Sequence, residues 1–270
     1  MGDGCFLGVE EDISTLVDEY KGGTDIQRAK VQVSGVAETE NGLRRRGEYL
    51  STQYALIQRV KGDGNCFLRA FAFGLLRYVG SAPEGEQLDQ LVSFFRESKD
   101  VLLSEGFSEF IEDFWEGKQT NTLLLCLIAG NGPVLMEQLV IARGSGADAS
   151  SKAAELVNSD ESDYVVCYLR LLISGHLKRH SNEFQAFLEA GQSVTEFCLK
   201  EVEPMAVESD QIHIIALSQQ LAGVLPASVS IEYLDLSDSE CTNHFSFPEG
   251  LPPFLFLLYR PGHYDILLPK

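Results

Sequence analysis

The sequence predicts an α+β fold in which a small sheet accompanies a largely helical middle section. Apolar residues between about residues 84 and 201 recur at helical spacing, whereas segments after residue 228 have the apolar alternation and short length of strands. One further strand-like segment, Tyr54–Val60, precedes the helical section. We therefore expect residues 54–60 to join the C-terminal strands in one sheet.

The first 49 residues are predicted to form a polar, variable and loosely packed extension. A short helix around residues 13–17 is the only regular element expected there, because the rest shows no clear period. The core is expected to begin with the strand at residues 54–60. A chain of 270 residues fits a single globular domain with a full-sized core.

Residues 61–65 (KGDGN) follow this strand and predict a sharp turn. Apolar side chains then recur at Phe67, Phe71 and Leu75, which is the spacing of one helical face. The sequence therefore predicts a helix that begins at Cys66.

The later elements are delimited by capping residues and loop segments. Ser193 and Glu196 have the spacing of a capping box, and Asp210 can cap a helix over residues 212–221. Residues 144–151 are small and polar, which predicts a loop between two helices. Strands are then predicted at residues 229–235, 254–259 and 264–268.

The charge balance argues against nucleic acid as a partner. Lys and Arg number 21 against 40 Asp and Glu, which gives a formal net charge of −19. Such a surface repels polyanions, and the only compact basic run is residues 44–46. An acidic surface suits a basic protein partner better.

The cysteines and the apolar runs indicate the compartment. The 6 cysteines contain no C-x-x-C pair, so we expect reduced thiols and no zinc site or compact disulfide framework. The N-terminal residues are acidic and lack a signal-peptide pattern. No apolar run approaches the roughly 20 residues that cross a bilayer. We expect a cytoplasmic protein, with the nucleus as a second location and no membrane attachment.

Cys66 has the position of an activated nucleophile. A helix N-terminus carries roughly half a positive charge, which stabilises a thiolate. The preceding turn of Asp63, Gly64 and Asn65 is expected to leave backbone N–H groups unpaired near the thiol, where they can form an oxyanion hole. Taken alone, the segment also fits a buried cysteine that begins an ordinary helix.

His263 follows a Pro261-Gly262 turn and begins the last predicted strand. Residues two apart on a strand project to the same face, so Asp265 is expected beside it, with the Cα atoms roughly 6.5 Å apart. A carboxylate there can hold the imidazole in the tautomer that presents its other nitrogen to a thiol. A histidine at a turn is, by itself, more often an ordinary surface or core residue.

No metal site is predicted from the remaining histidines. His176 and His180 are four apart, but their basic neighbours indicate an exposed helix end. Cys241 and His244, in a predicted polar loop, lack further ligands at suitable spacing. His213 lies among apolar residues and is expected to belong to the core.

Several segments resemble the ovarian-tumour (OTU) deubiquitinases, and in particular the otubain branch. Residues 62–71 (GDGNCFLRAF) look like the cysteine motif of the family, and residues 259–266 (YRPGHYDI) resemble the histidine motif of otubains. Residues 163–172 (DYVVCYLRLL) and 197–205 (FCLKEVEPM), continued by 209–216 (SDQIHIIA), are similar to otubain core segments in the same order.

The resemblance covers roughly residues 50–270, which are therefore predicted to be the OTU catalytic domain. It implies a papain-like cysteine peptidase fold that uses no metal or other cofactor. It also implies these roles: Cys66 as nucleophile, His263 as general base, Asp265 as orienting acid, and Asp63 as the head of the oxyanion loop at residues 63–65.

The resemblance further implies a reaction and partners. The family cleaves the isopeptide bond between the C-terminal glycine of ubiquitin and a lysine, and otubains often prefer chains joined through lysine forty-eight of ubiquitin. Ubiquitin, polyubiquitin chains and ubiquitin-conjugating enzymes are the expected partners. The alternatives are a regulator that binds ubiquitin or conjugating enzymes without cleaving, and a papain-like peptidase with an unrelated substrate.

Two segments depart from the otubain pattern. Residues 1–49 resemble no recognisable otubain segment, and residues 120–159 look longer than the corresponding part of the family. Regulation of ubiquitin-conjugating enzymes through residues 1–49 is therefore not implied, and contacts with ubiquitin near residues 120–159 are expected to differ from those of relatives.

Overall fold

A computed structural model describes residues 5–22, 40–82, 86–107, 134–234 and 241–270. The strands are β1 (Leu7–Asp12), β2 (Tyr54–Val60), β3 (Ser228–Tyr233), β4 (Asn243–Phe247), β5 (Pro253–Arg260) and β6 (His263–Pro269). The longer helices are α1 (Ser14–Gly22), α2 (Glu40–Gln53), α3 (Cys66–Ser81), α4 (Glu86–Ser104), α5 (Val134–Ala142), α6 (Ala149–Val157) and α7 (Ser162–Arg179). They are followed by α8 (Ser181–Phe184), α9 (Val194–Phe197), a π-helical turn at Cys198–Val202, and α10 (Gln211–Leu221).

The predicted α+β class is confirmed, since helices fill the middle of the chain and strands its C-terminal end. The strand at residues 54–60 and the helix that begins at Cys66 lie where the sequence places them. The predicted capping box of Ser193 and Glu196 is also present. Of the segment predicted to be longer than in otubains, residues 120–133 lie outside the described residues. Within the described ranges, no helix has the length and apolar character to span a membrane.

The strands form one 6-stranded sheet in the order β1-β2-β6-β5-β3-β4. β3 and β5 run parallel, and the other neighbouring pairs are antiparallel. β6 therefore lies inside the sheet, between β2 and β5, so that its side chains have neighbours on both sides. The β5–β6 hairpin pairs Arg260 with His263. Gly262 in its turn has a φ of 75°, a conformation that favours glycine.

The sheet buries apolar side chains on both faces. Because side chains alternate along a strand, Ile266 packs into the larger core beneath α3, whereas Leu267 packs into a smaller core on the opposite face. Leu16 of α1 and Leu50 of α2 belong to that smaller core. The sheet is thus covered by α3 on one face and by α1 and α2 on the other.

The N-terminal segment is part of this architecture. β1 pairs antiparallel with β2, and Leu7, Ile13 and Leu16 are buried. The prediction of a loosely packed extension is therefore wrong for residues 7–22. Only Leu7 of β1 is buried, so the strand lacks the alternation that sequence reasoning needs. It is held at the sheet edge by backbone pairing.

The strand β4 at the opposite edge was also not predicted. Its residues, which include His244, were expected to form a polar loop, yet they pair antiparallel with β3. The side chains of β4 are exposed or half-buried. An edge strand can pair through its backbone while presenting polar residues to solvent, so its sequence resembles that of a loop.

Candidate active site

Cys66 is the first residue of α3 and is buried, with 2% of its surface exposed. Its backbone N–H belongs to the first helical turn, where N–H groups have no partner within the helix. Among the described residues, no hydrogen bond is found for the backbone N–H of Cys66 or of Gly64. With the thiol at this position, these two groups are candidate donors for an oxyanion site.

The other N–H groups of the loop are engaged within it. The N–H of Asp63 donates to the carbonyl of Lys61 at 3.0 Å, and that of Asn65 donates to Oδ1 of Asp63 at 2.9 Å. The expectation that the whole turn leaves its donors unpaired is therefore corrected for these two positions. The role of residues 63–65 in an oxyanion site stays a prediction, with Gly64 as the available donor.

The segment around Ala206 packs directly against Gly64 of the loop. Gly64 has a φ of 78°, and a Cβ there would lie 2.2 Å from the carbonyl oxygen of Ala206, so only glycine fits. Ala206 itself has a φ of 64°, which costs a residue with a side chain roughly 1 kcal/mol or more. Its N–H donates to Oδ1 of Asn65 at 3.1 Å. The buried Asn65 side chain thus fixes the loop.

Arg170 of α7 ties the same elements together from inside the protein. Its guanidinium is fully buried and donates to the carbonyls of Gly64 at 3.1 Å, Val202 at 3.0 Å and Val207 at 2.7 Å. It also donates to Oδ1 of Asn65 at 2.8 Å. Burial lowers the pKa of Arg170 to about 10. A buried cation therefore holds the cysteine loop against the segment that precedes α10.

Arg69 of α3 supports the head of the loop. It donates to Oδ2 of Asp63 at 2.9 Å and to Oδ1 of Asp163 at 2.7 Å, and its guanidinium lies 3.6 Å from the centre of the Phe6 ring. Burial raises the pKa of Asp63, but the bonds from Arg69 and from the N–H of Asn65 outweigh it and lower that pKa. Asp63 is thus an ionised anchor of the loop.

His263 connects the nucleophile to the carboxylate. Its Nε2 lies 3.0 Å from Oδ1 of Asp265, and the ring also interacts with the thiol of Cys66. Burial lowers the pKa of His263, but the hydrogen bonds and charges of Asp265 and Cys66 outweigh it and raise that pKa to about 9. The structure therefore brings the three predicted side chains together, and it favours a charged imidazole.

Asp265 is fully buried and accepts hydrogen bonds from several directions. The N–H of Val60 donates to Oδ1 at 3.0 Å, Nη1 of Arg59 lies 3.3 Å from Oδ2, and Nη2 of Arg260 also contacts Oδ2. Burial raises the pKa of Asp265, but its bond with His263 and the charge of Arg260 outweigh it and hold the pKa well below its usual range. The carboxylate is therefore ionised and fixed.

Sequence reasoning missed the arginines that support these groups, namely Arg59, Arg69, Arg170 and Arg260. Arg69 and Arg170 stand in otherwise apolar helical patterns, and a charged residue in such a stripe is a signal that could have revealed a buried anchor. The sequence gives no comparable signal for Arg59, because the alternation of side chains along β2 is also consistent with an exposed arginine at this position.

The side chains of His213 and His244 form hydrogen bonds within the fold. His213 is buried, as predicted, and its Nδ1 accepts from the N–H of Asp210 at 3.0 Å, which completes the cap of α10. Nδ1 of His244 lies 2.9 Å from the buried carboxylate of Glu232. In the part of the chain that the structure describes, no three His, Cys, Asp or Glu side chains are grouped to hold a metal ion.

Comparison with known proteins gives consistent matches. The family model described as Peptidase C65 Otubain matches residues 3–269. The chain is 43% identical over 232 residues to the ubiquitin thioesterase OTUB1 of Homo sapiens. The aligned region covers 86% of this chain and 77% of that protein. It is 34% identical to the ubiquitin thioesterase OTUB2 of Homo sapiens, over 83% of this chain and 86% of that protein.

A more distant relative and the solved structures extend the likeness over nearly the whole chain. An OTU-domain deubiquitinating enzyme of Arabidopsis thaliana is 31% identical over 98% of this chain and 81% of that protein. A structure of h/ceOTUB1 with ubiquitin aldehyde and UBC13~Ub has a TM-score of 0.73 and 26% identity, covering 98% of this chain and 91% of that chain. A corresponding complex with UBCH5B~Ub has a TM-score of 0.72 and 25% identity, with the same coverage of 98% and 91%. The likeness therefore also includes the N-terminal residues for which the sequence alone showed no counterpart.

Proposed function

Because the chain belongs to the peptidase C65 otubain family and is a cysteine-type deubiquitinase, we propose that it hydrolyses isopeptide bonds formed by the C-terminal glycine of ubiquitin. We further propose a preference for chains linked through lysine forty-eight of ubiquitin. The observation that carries the proposal is the connected set of Cys66, His263 and Asp265 at the N-terminus of a buried helix.

The geometry supports a two-stage acyl transfer. The thiolate of Cys66 attacks the carbonyl carbon of the ubiquitin C-terminal glycine, and the resulting oxyanion accepts hydrogen bonds from the N–H groups of Cys66 and Gly64. The charged His263 then gives its proton to the lysine amine as the C–N bond breaks, which leaves a thioester on Cys66. Water, deprotonated by the now neutral His263, attacks the thioester and releases ubiquitin and the thiolate.

Asp265 supports both stages without taking up a proton. It accepts from Nε2 of His263, which fixes the ring and leaves Nδ1 as the nitrogen that faces the thiol. Its negative charge also stabilises the imidazolium that pairs with the Cys66 thiolate. The arginines that contact Asp265 keep it ionised, so it acts as a fixed charge throughout the cycle.

Ubiquitin and ubiquitin-conjugating enzymes are the proposed partners. The similar OTUB1 structures contain ubiquitin aldehyde together with UBC13~Ub or UBCH5B~Ub. A second function, binding such enzymes without cleavage, is compatible with the same fold. The triad favours cleavage, since a protein that only binds has no need of a nucleophile paired with a charged base. The free thiols support a reducing compartment, and we propose the cytoplasm.

A panel of differently linked di-ubiquitins tests the proposal. We expect cleavage by the unaltered protein, fastest for the chain linked through lysine forty-eight. Cys66→Ala should abolish cleavage while ubiquitin binding persists, because the thiol makes the covalent bond but adds little contact area. Cys167→Ala, which removes a half-buried thiol of α7, is the matched control and should keep full activity.

Covalent labelling gives an independent measurement. Ubiquitin with a C-terminal electrophile should form an adduct that mass mapping places on Cys66. Cleavage by Cys66→Ala within tenfold of the parent rate, or an adduct on another cysteine, contradicts the assignment. Binding of ubiquitin without cleavage of any chain would favour the regulatory function instead.

A further inference from the structure

An ion-pair cluster lies behind the catalytic carboxylate. It contains three charged residues, each two positions along its strand from a residue of the smaller core. Arg59 of β2 is two residues from Ile57, Arg260 of β5 from Leu258, and Asp265 of β6 from Leu267. Because side chains alternate along strands, these three charged groups project to the sheet face that α1 covers. Both arginines contact Oδ2 of Asp265 there.

Glu19 of α1 contacts the same two arginines from the other side. Its Oε1 pairs with Nη2 of Arg59, and its Oε2 lies 3.2 Å from Nη1 of Arg260. Each guanidinium is thus shared between Asp265 and Glu19. Glu11 of β1 adds a weaker contact, with Oε2 3.4 Å from Nε of Arg59.

The charged side chains of this cluster are largely buried. The side chain of Asp265 is 0% exposed, and those of Arg59 and Arg260 are only 12% and 20% exposed. Glu19 is 31% exposed and closes the cluster toward solvent. Charges that are largely shielded from water interact more strongly than exposed pairs. The charge of Glu19 therefore affects the electrostatic potential at the catalytic centre.

The charges around His263 define what Glu19 does. Without Glu19, the two guanidinium groups would face only Asp265 and the more exposed Glu11, and their positive charge would oppose the imidazolium more strongly. Among the described residues, the ionisable groups that act on His263 are Cys66 of α3 and Asp265 in its own strand, and the carboxylate of Glu208 lies against the neighbouring Gly262 turn. Glu19 supplies the negative charge that balances the second arginine.

We propose that Glu19 is a positioning residue of the catalytic centre, which holds Arg59 and Arg260 on Asp265 and favours the charged form of His263. Through Glu19, α1 therefore supports the catalytic centre, although it contributes no group to the triad. The inference depends on the proposed function for its catalytic meaning, but the cluster itself is tested without ubiquitin.

The test measures the titration of the His263 ring by carbon–proton NMR in protein labelled at histidine, with His263→Gln to assign the signal. Glu19→Gln should lower the His263 midpoint by roughly half a pH unit, because it removes a nearby negative charge. Arg260→Gln should move the midpoint in the opposite direction. Glu155→Gln, which breaks an exposed pair with Lys152 on α6, is the matched control and should leave the midpoint unchanged.

Melting temperatures establish that each variant is folded. A midpoint in Glu19→Gln that stays at the parent value, or that rises, overturns the inference, as does a shift of equal sign in Arg260→Gln. Turnover of di-ubiquitin separates the two proposals. Shifts of the expected signs in a protein that cleaves no chain would contradict the proposed function but leave the role of Glu19 intact.

Discussion

The two sides of the proposed catalytic centre are held by different interactions. The cysteine loop, residues 61–66, is fixed largely by hydrogen bonds from Arg170, whose acceptors are backbone carbonyls and the amide of Asn65. The base hairpin, residues 260–265, is fixed by ion pairs among Asp265 and two arginines. The same triad therefore combines one side that is held mainly by hydrogen bonds from a buried cation to neutral acceptors, with the Arg69–Asp63 ion pair at its head, and one side that is held by ion pairs.

The difference matches what each side has to do. A nucleophile needs its thiol and oxyanion donors at fixed positions, and bonds to neutral buried acceptors provide such geometry at any ordinary pH. A base needs a defined protonation state, which nearby charges and hydrogen bonds set against the effect of burial. Loss of a support should therefore damage the fold on the cysteine side and the titration behaviour on the histidine side.

Removal of residues 1–46 should have the largest effect, because this segment reaches both sides through Phe6 and Glu19. It also carries the buried Leu7, Ile13 and Leu16. Each buried side chain contributes roughly 1.5–3 kcal/mol, so their sum is comparable to the net stability of about 5–15 kcal/mol of most domains. We expect a protein that has lost cooperative unfolding by circular dichroism.

Removal of residues 1–4 alone is the control for this truncation and should leave the melting curve unchanged. From the sequence, the core was expected to begin at the strand of residues 54–60, which predicts that the longer truncation folds. A cooperative melt of the longer truncation would support that view and show that β1 and α1 are dispensable.

Replacement of the buried cation on the cysteine side should have the next largest effect. Arg170→Met leaves the carbonyls of Gly64, Val202 and Val207 without their donor, which should lower the free energy of unfolding by about 3 kcal/mol. Arg179→Met, at an exposed position of the same helix, should change it by less than about 0.5 kcal/mol. Denaturant unfolding measures both, and equal effects would contradict the anchoring role.

On the histidine side, substitutions of Asp265 should mainly affect turnover. Asp265→Asn keeps an acceptor but loses the charge, so we expect roughly a tenfold loss, or about 1.4 kcal/mol in the barrier. Asp265→Ala should be slower, and His263→Ala slower still, because the helix N-terminus continues to favour the thiolate. Rates on one di-ubiquitin at several pH values, with melting temperatures, test this order. Parent activity in a folded Asp265→Ala would assign the orienting role elsewhere.

The last predicted effect is a dependence of stability on pH between pH 6 and 9.5 that the histidine side produces. The pKa of His263 is raised from 6.5 to about 9, so its contribution is complete below pH 6.5 and is lost as the pH rises through 9. The loss should be on the order of 3 kcal/mol. Unfolding at pH 6 and 9.5 should show it in the parent but not in His263→Gln. Equal losses in both proteins would refute the linkage.

Prediction from sequence succeeded where a pattern is local and failed where pairing is remote. The helix at Cys66 was predictable because its apolar stripe and the preceding turn lie within a few residues of each other. β1 and β4 were not, because each pairs through its backbone and exposes polar side chains. The arginines behind Asp265 were missed for a related reason, since their partners come from other strands and from α1.

The sequence by itself determined the parts of the site that depend on short-range geometry. It placed Cys66 at a helix N-terminus and His263 beside Asp265 on one strand, because capping, helical period and strand alternation act between near neighbours. Only the tertiary structure decided that these parts meet, that Arg170 holds the loop, and that Glu19 balances the charge behind Asp265. Those contacts follow from the packing of α1, α3 and α7 against the sheet, which joins residues that are far apart in the chain.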